Sequence, residues 1–220
     1  MTQAQKALFM RYCPHILKDT ADPFPIRFIG CTAFPVPRRS ASFPKWHIDP
    51  QRERAAVILE YAIYYDYDIQ HMYDLEHIWV AVDEQEKVVN CWCSFHGMRL
   101  RAAGVSSFTM DGEHPVLYSQ PGKHAMLPHP ELFFLHPDFE RACKETAGGG
   151  VLVPGFLSDR IKTDPQTDEK VAGYIRNNHS FVPTMTFVPE RICEDQLLSW
   201  EELLDKIPEL IECQLGLIGC

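Results

Sequence analysis

Tyr64-Tyr65-Asp66-Tyr67-Asp68-Ile69-Gln70-His71-Met72-Tyr73-Asp74-Leu75-Glu76-His77-Ile78-Trp79-Val80 is the stretch that decides the fold. Aliphatic and aromatic residues dominate positions 55–67 and 75–82 on either side of a polar centre, which suits two strands on a half-buried, pleated surface. Alternate residues of a strand share a face, so Asp74, Glu76 and Ile78 project together and Leu75, His77 and Trp79 project oppositely. Two like charges therefore emerge side by side where an apolar strand begins. A divalent cation is the economical compensation, with His71 or Asp68 from the preceding loop completing an oxygen and nitrogen set that suits Ca, Mg, Mn or Zn equally. The competing reading places both carboxylates on a solvated face and the histidines on the surface or in the core.

Working outward, Asp83-Glu84-Gln85-Glu86 is a turn, and residues 88–96 form the second arm of an antiparallel hairpin. Cys93-Ser94-Phe95-His96-Gly97 ends that arm. A further strand at 115–119 runs into Ser119-Gln120-Pro121-Gly122-Lys123-His124, a turn that delivers Lys123 and His124. Adjacent strands would gather Asp74, Glu76, His96 and His124 at one end of a sheet. A metal-dependent hydrolase there needs an open coordination position and a spare acid or base, for which His77, His96 and Lys123 are the candidates. A non-catalytic module for a carbohydrate or headgroup would instead saturate the cation and use it to organise loops. Both readings stay open, with a small-molecule or glycan ligand in either case.

Residues 3–12 read as a helix stopped by Pro14, and prolines at 23, 25, 35, 37, 44 and 50 exclude any long helix up to about residue 50. Residues 137–146 suggest a short helix, Gly148-Gly149-Gly150 a turn before the strand-like 151–153, and residues 184–188 a late strand. Ser199-Trp200-Glu201-Glu202 has the form of a capping box, with Leu203, Leu204, Ile207 and Leu210 at helical spacing. Pro208 is expected to kink or divide that helix. His129 and His136 either approach the same pocket or decorate a proline-bounded loop. No repeat or flexible linker marks a boundary, so the expectation is a single domain over residues 1–220: mainly β, an antiparallel β-sandwich with peripheral helices, one of them C-terminal.

Of the 220 residues, 45% are hydrophobic and 23% charged, which excludes wholesale disorder. With 30 acidic against 21 basic residues the formal charge is -9, and no basic cluster is present to grip nucleic acid. No apolar run approaches the roughly 20 residues of a transmembrane helix. The opening Met1-Thr2-Gln3-Ala4-Gln5-Lys6 lacks the pattern of an export signal, so the expected location is cytoplasmic. The 8 cysteines are widely spaced and read as reduced thiols. Cys91 and Cys93 are too close for the usual structural zinc spacing, and poorly placed for nucleophilic work with His96.

The order Asp74-Leu75-Glu76-His77, followed by Ser94-Phe95-His96-Gly97 and a histidine-bearing turn, resembles the necrosis-inducing protein family. That family's signature, Gly-His-Arg-His-Asp-Trp-Glu, corresponds to Gln70-His71-Met72-Tyr73-Asp74-Leu75-Glu76. His71, Asp74 and Glu76 are preserved, Gln70, Tyr73 and Leu75 replace a glycine, a histidine and a tryptophan, and Asp68 is the counterpart of an upstream aspartate. The resemblance implies a β-sandwich with a divalent cation held by Asp68, His71, Asp74 and Glu76. His124 joins this candidate set. The family's membrane-damaging role requires export. Arg11-Tyr12-Cys13-Pro14-His15, Pro23-Phe24-Pro25 and Asp74-Leu75-Glu76-His77 are similar, more loosely, to the vacuolar protein sorting sixty-two family. Together the two resemblances span about residues 11–130.

Overall fold

The computed structural model describes residues 1–135, 139 and 147–220. Of the helix expected at 137–146 only residue 139 is described, and His136 and Cys143 fall outside the described residues. Fourteen strands are described: β1 (His15–Asp19), β2 (Phe28–Phe34), β3 (Arg38–Arg39), β4 (His47–Ile48), β5 (Val57–Tyr67), β6 (His71–Val82), β7 (Val88–Phe95), β8 (Met98–Arg101), β9 (Thr109–Asp111), β10 (His114–Ser119), β11 (Met126–Leu127), β12 (Gly150–Val151), β13 (Phe187–Pro189) and β14 (Leu197–Ser199). Helices α1 (Gln3–Arg11), α2 (Pro165–Asn178) and α3 (Trp200–Ile218) flank them. The larger sheet runs β14-β2-β5-β6-β7-β8 with β12 also on β6; the smaller runs β11-β10-β1-β13 with β9 on β10.

Neighbours joined by short turns pair antiparallel, as in the β5-β6-β7-β8 meander. The sheets are mixed, however, because β1 with β10, β12 with β6 and β14 with β2 pair in parallel. These partners are distant in sequence, and the intervening chain gives a crossover room to return in the same direction. Ile63, Ile78 and Cys93 of the larger sheet and Ile16, Leu117 and Met126 of the smaller share one buried cluster. A second cluster, with Phe34, Ile58, Trp79 and Trp92, fills the other face of the larger sheet.

The hairpin appears as expected, but β6 begins at His71, so His71 is a strand residue and not part of a loop. The late strand is shifted to Phe187–Pro189, because Thr184 Oγ1 and the Met185 N–H donate to the Asp19 carboxylate at 3.0 and 2.6 Å. Helix α2 has no counterpart among the sequence expectations. Its signal is the Asp164-Pro165 pair: the aspartate caps Thr167 N–H at 2.8 Å, and proline fits the first turn.

Ser199 and Glu202 form the capping box of α3. The helix packs closely on β2, and a Cβ at Gly30 would stand 3.0 Å from Leu203 Cδ2 and 3.1 Å from Trp200 Cε3. Pro208 does not divide α3. Proline removes the N–H that would bond the Leu204 carbonyl, and Arg160 supplies the missing donors: Nη1 reaches Leu204 O at 3.0 Å and Nη2 reaches Asp205 O at 3.2 Å. Among the described residues no helix is long and apolar enough to cross a membrane, and seven cysteines, at 13, 31, 91, 93, 193, 213 and 220, are free.

Candidate functional site

Strand β6 is paired along its length with β5 but not on its other side. There β12 covers His71 and Met72, and β7 pairs with Ile78 to Val82. Among the described residues no strand pairs with residues 73–77 on that side. Side chains serve the exposed backbone instead. The Leu75 N–H donates to Asp74 Oδ1 at 2.9 Å, the His77 N–H donates to Ser94 Oγ at 2.6 Å, and His71 Nδ1 lies 2.9 Å from Tyr73 O. Tyr73 takes a φ of 76°, which bends the strand where the pairing stops. Gly150 starts the segment whose Leu152, Pro154 and Phe156 line the near wall. Its φ of 59° and a neighbouring Asp168 Cβ that would lie 2.4 Å from any added Cβ require glycine, and Asp168 then accepts the Val151 N–H at 3.0 Å.

The resulting slot has a volume of about 200 Å³, with Asp74, Glu76 and Ser94 as polar lining and Phe43, Tyr73 and Phe156 as aromatic walls. As the alternation requires, His77 faces away from Glu76. Its ring stacks on Trp79 at 5.4 Å and meets Phe43 edge-on at 5.2 Å. Burial pushes the imidazole pKa down to about 3, outweighing the upward pull of the Asp74 charge and of a backbone hydrogen bond with Ser42.

The acids are arranged unequally. Burial, and then repulsion from Asp74, pushes Glu76 up to about 8, although the Ser94 hydroxyl donates to it. Burial acts upward on Asp74 too, but the bond and charge of His124, with His71 and Lys123, hold it below its ordinary value. His124 Nδ1 is 2.8 Å from Asp74 Oδ2, and Nε2 is 3.8 Å from Asp22 Oδ1. Burial alone would lower this histidine, yet Asp22 and Asp74 outweigh it and raise it to about 9. Tyr65 stacks on the imidazole at 3.8 Å and Phe24 meets it edge-on at 5.4 Å.

Asp68, His71, Lys123 and His124 all gather around β6. Asp68 accepts the Gln70 and His71 N–H groups at 2.7 Å each, His71 Nε2 lies 3.3 Å from Asp68 Oδ2, and Lys123 is ion-paired to the same oxygen. His96 joins from β7's end, its Nε2 2.9 Å from Gln120 Oε1 in the turn that carries Lys123 and His124. His129 stands apart, with its ring 6.1 Å from Tyr118 and its Nδ1 3.9 Å from Glu131. Sequence reasoning missed Asp22, Tyr65, Phe43 and Phe156 as parts of this neighbourhood. Asp22 accepts the Gly122 N–H at 2.7 Å, a contact for which proximity in sequence offers no signal.

The donor set does not fit a divalent cation as arranged. Among the described residues no three His, Cys, Asp or Glu side chains group so as to hold one. Lys123 sits on Asp68, His124 on Asp74 and the Ser94 hydroxyl on Glu76, so each carboxylate that the resemblance assigns to a metal already has a protein partner.

No protein-family model matches the chain, and no curated protein is similar to it. Among solved structures, the chain is similar to NLPPya in complex with glucosamine, a necrosis-and-ethylene-inducing-like protein. The match covers 58% of this chain and 68% of that one at 14% identity, with a TM-score of 0.39.

Proposed function

We propose that the slot beside β6 binds one small ring or headgroup rich in hydroxyl or amine groups, as a non-catalytic module. The open 73–77 edge carries this reading. It leaves a carboxylate, a carboxylic acid and a hydroxyl converging between aromatic walls, the arrangement by which concave sites orient a ligand of mixed polarity. At about 200 Å³ the slot is below the roughly 300 Å³ where drug-sized sites begin, so a single ring is the matching size.

The candidates for acid-base work do not favour turnover. Lys123 is committed to Asp68 and Gln70, His96 contacts Gln120, and His77 is enclosed by Trp79 and Phe43. Glucosamine, the ligand in the NLPPya structure, is a convenient probe because it joins a single ring to hydroxyl and amine groups. Saturation-transfer NMR should detect glucosamine, and glucose more weakly, with a dissociation constant on the order of 1 mM, as expected for about a dozen heavy atoms. Ser94→Ala should weaken it severalfold. Phosphatidylcholine vesicles with and without glucosylceramide separate a free sugar from a headgroup. No binding of any of these probes at tens of millimolar, or no effect of Ser94→Ala, would sink the reading, and release of a hydrolysis product would restore the hydrolase.

A further inference from the structure

The turn at residues 120–125 is fastened to β6's neighbourhood from several directions. The Ile69 N–H donates to Gly122 O at 2.8 Å, the Gly122 N–H to Asp22, and the His124 N–H to Gln120 O at 2.8 Å. Gly122 and His124 take φ values of 71° and 54°. A histidine in the left-handed region is uncommon and persists where surroundings over-determine it. The effect of this fastening is to drive Lys123 inward. Its side chain is 12% exposed and that of Asp68 1% exposed, so the pair is shielded from water. Lys123 Nζ also donates to Gln70 Oε1 at 3.1 Å, and His71 Nε2 reaches the Asp68 oxygen that the lysine contacts. The ammonium thus sits between a carboxylate oxygen and an amide oxygen, the donor type that a hard divalent cation takes, with the His71 imidazole against the same carboxylate.

We infer that Lys123 is a built-in counter-cation for Asp68, replacing a divalent ion at this point, so that the wild-type site assembles without metal and loss of the lysine opens it to one. The physical reason is that a buried carboxylate needs a positive partner, and a covalently tethered ammonium is always present whereas a metal must be captured. This inference is independent of whether the slot takes a sugar.

The test uses the full chain, as wild type, Lys123→Met, Lys123→Arg and the double variant Asp68→Asn/Lys123→Met. Melting temperatures are taken in EDTA and in millimolar Ca²⁺, Mg²⁺ or Mn²⁺. Wild type and Lys123→Arg should not respond to the ions. Lys123→Met should fall by about 6 °C or more in EDTA, as an uncompensated buried charge is left behind. Adding Ca²⁺ or Mn²⁺ should recover at least half of that loss, with a dissociation constant on the order of 1 mM. The double variant should melt above Lys123→Met and ignore the ions. If Lys123→Met does not fold in EDTA, rescue by an ion and by Asp68→Asn supports the inference, and rescue by neither overturns it. Equal stabilisation of wild type and Lys123→Met by the ions, or a Lys123→Met protein that is unaffected in stability and blind to them, overturns it as well.

Discussion

Strands β5 and β6, with the turn that joins them, bury acids on both faces, and the two faces compensate the burial differently. On one face Glu60 accepts from Ser40 Oγ at 2.6 Å, Ser42 Oγ at 2.7 Å and Trp79 Nε1 at 2.6 Å, all neutral donors. Burial raises its pKa, and the three hydrogen bonds do not offset that rise. On the other face Asp68 meets Lys123 and Asp74 meets His124, and Asp74 is held below its ordinary value despite burial. Neutral donors fill lone pairs but do not balance charge; cations do both. The first arrangement serves packing: Ser40 Oγ also accepts the Phe43 N–H at 2.9 Å, which fixes the segment whose phenyl ring walls the slot. The second keeps an ionised carboxylate inside that slot.

The contrast can be broken from either side. The largest effect should follow His124→Leu, which strands Asp22 and Asp74 without a counter-charge and should cost about 3–5 kcal/mol in urea unfolding. A loss below about 1 kcal/mol would mean that the cationic face is not held by charge. On the neutral face, Glu60→Leu should cost about 2–3 kcal/mol by leaving two hydroxyls and an indole N–H without an acceptor. Glu60→Gln should cost only about 1 kcal/mol, since the amide oxygen still accepts.

The pH response should distinguish the faces next. Because the folded-state pKa of Glu60 is raised, the native protein holds that proton more tightly than the unfolded chain. The stabilisation is complete below the ordinary value of 4.5 and is lost as pH rises through the folded value. Wild type should therefore lose stability relative to Glu60→Gln as pH climbs from about 4.5 towards neutrality. A gap between the two that widens in favour of wild type would reverse the assigned sign. Smallest is Arg160→Ala, which removes the charged donors from the carbonyls beside Pro208 and, at a partly exposed site, should cost about 1 kcal/mol. Adding Pro208→Ala should restore most of it. Additive losses in the double variant would show that the arginine does not compensate the proline.

Local pattern accounts for the parts of this protein that local physics decides. The period-two alternation of Asp74 to Trp79 placed His77 opposite Glu76, the 83–87 turn joined β6 to β7, and the capping box at Ser199 started α3, because each depends on residues within a few positions of one another. The neighbourhood of the site was legible in the same way, through two acids where an apolar strand begins. Only the tertiary structure decided what compensates them. Lys123 reaches Asp68 across 55 positions and His124 reaches Asp74 across 50, and Asp22 enters from 100 positions before Gly122. Arg160 spans 44 positions to rescue α3 from Pro208. The gap between β12 and β7 that opens the slot belongs to this class too, since it is made by where two distant strands stop along a third. Chain connectivity writes periodicity and caps into neighbouring residues, but a buried charge is satisfied by whichever group packing brings near, and that is a property of the whole fold.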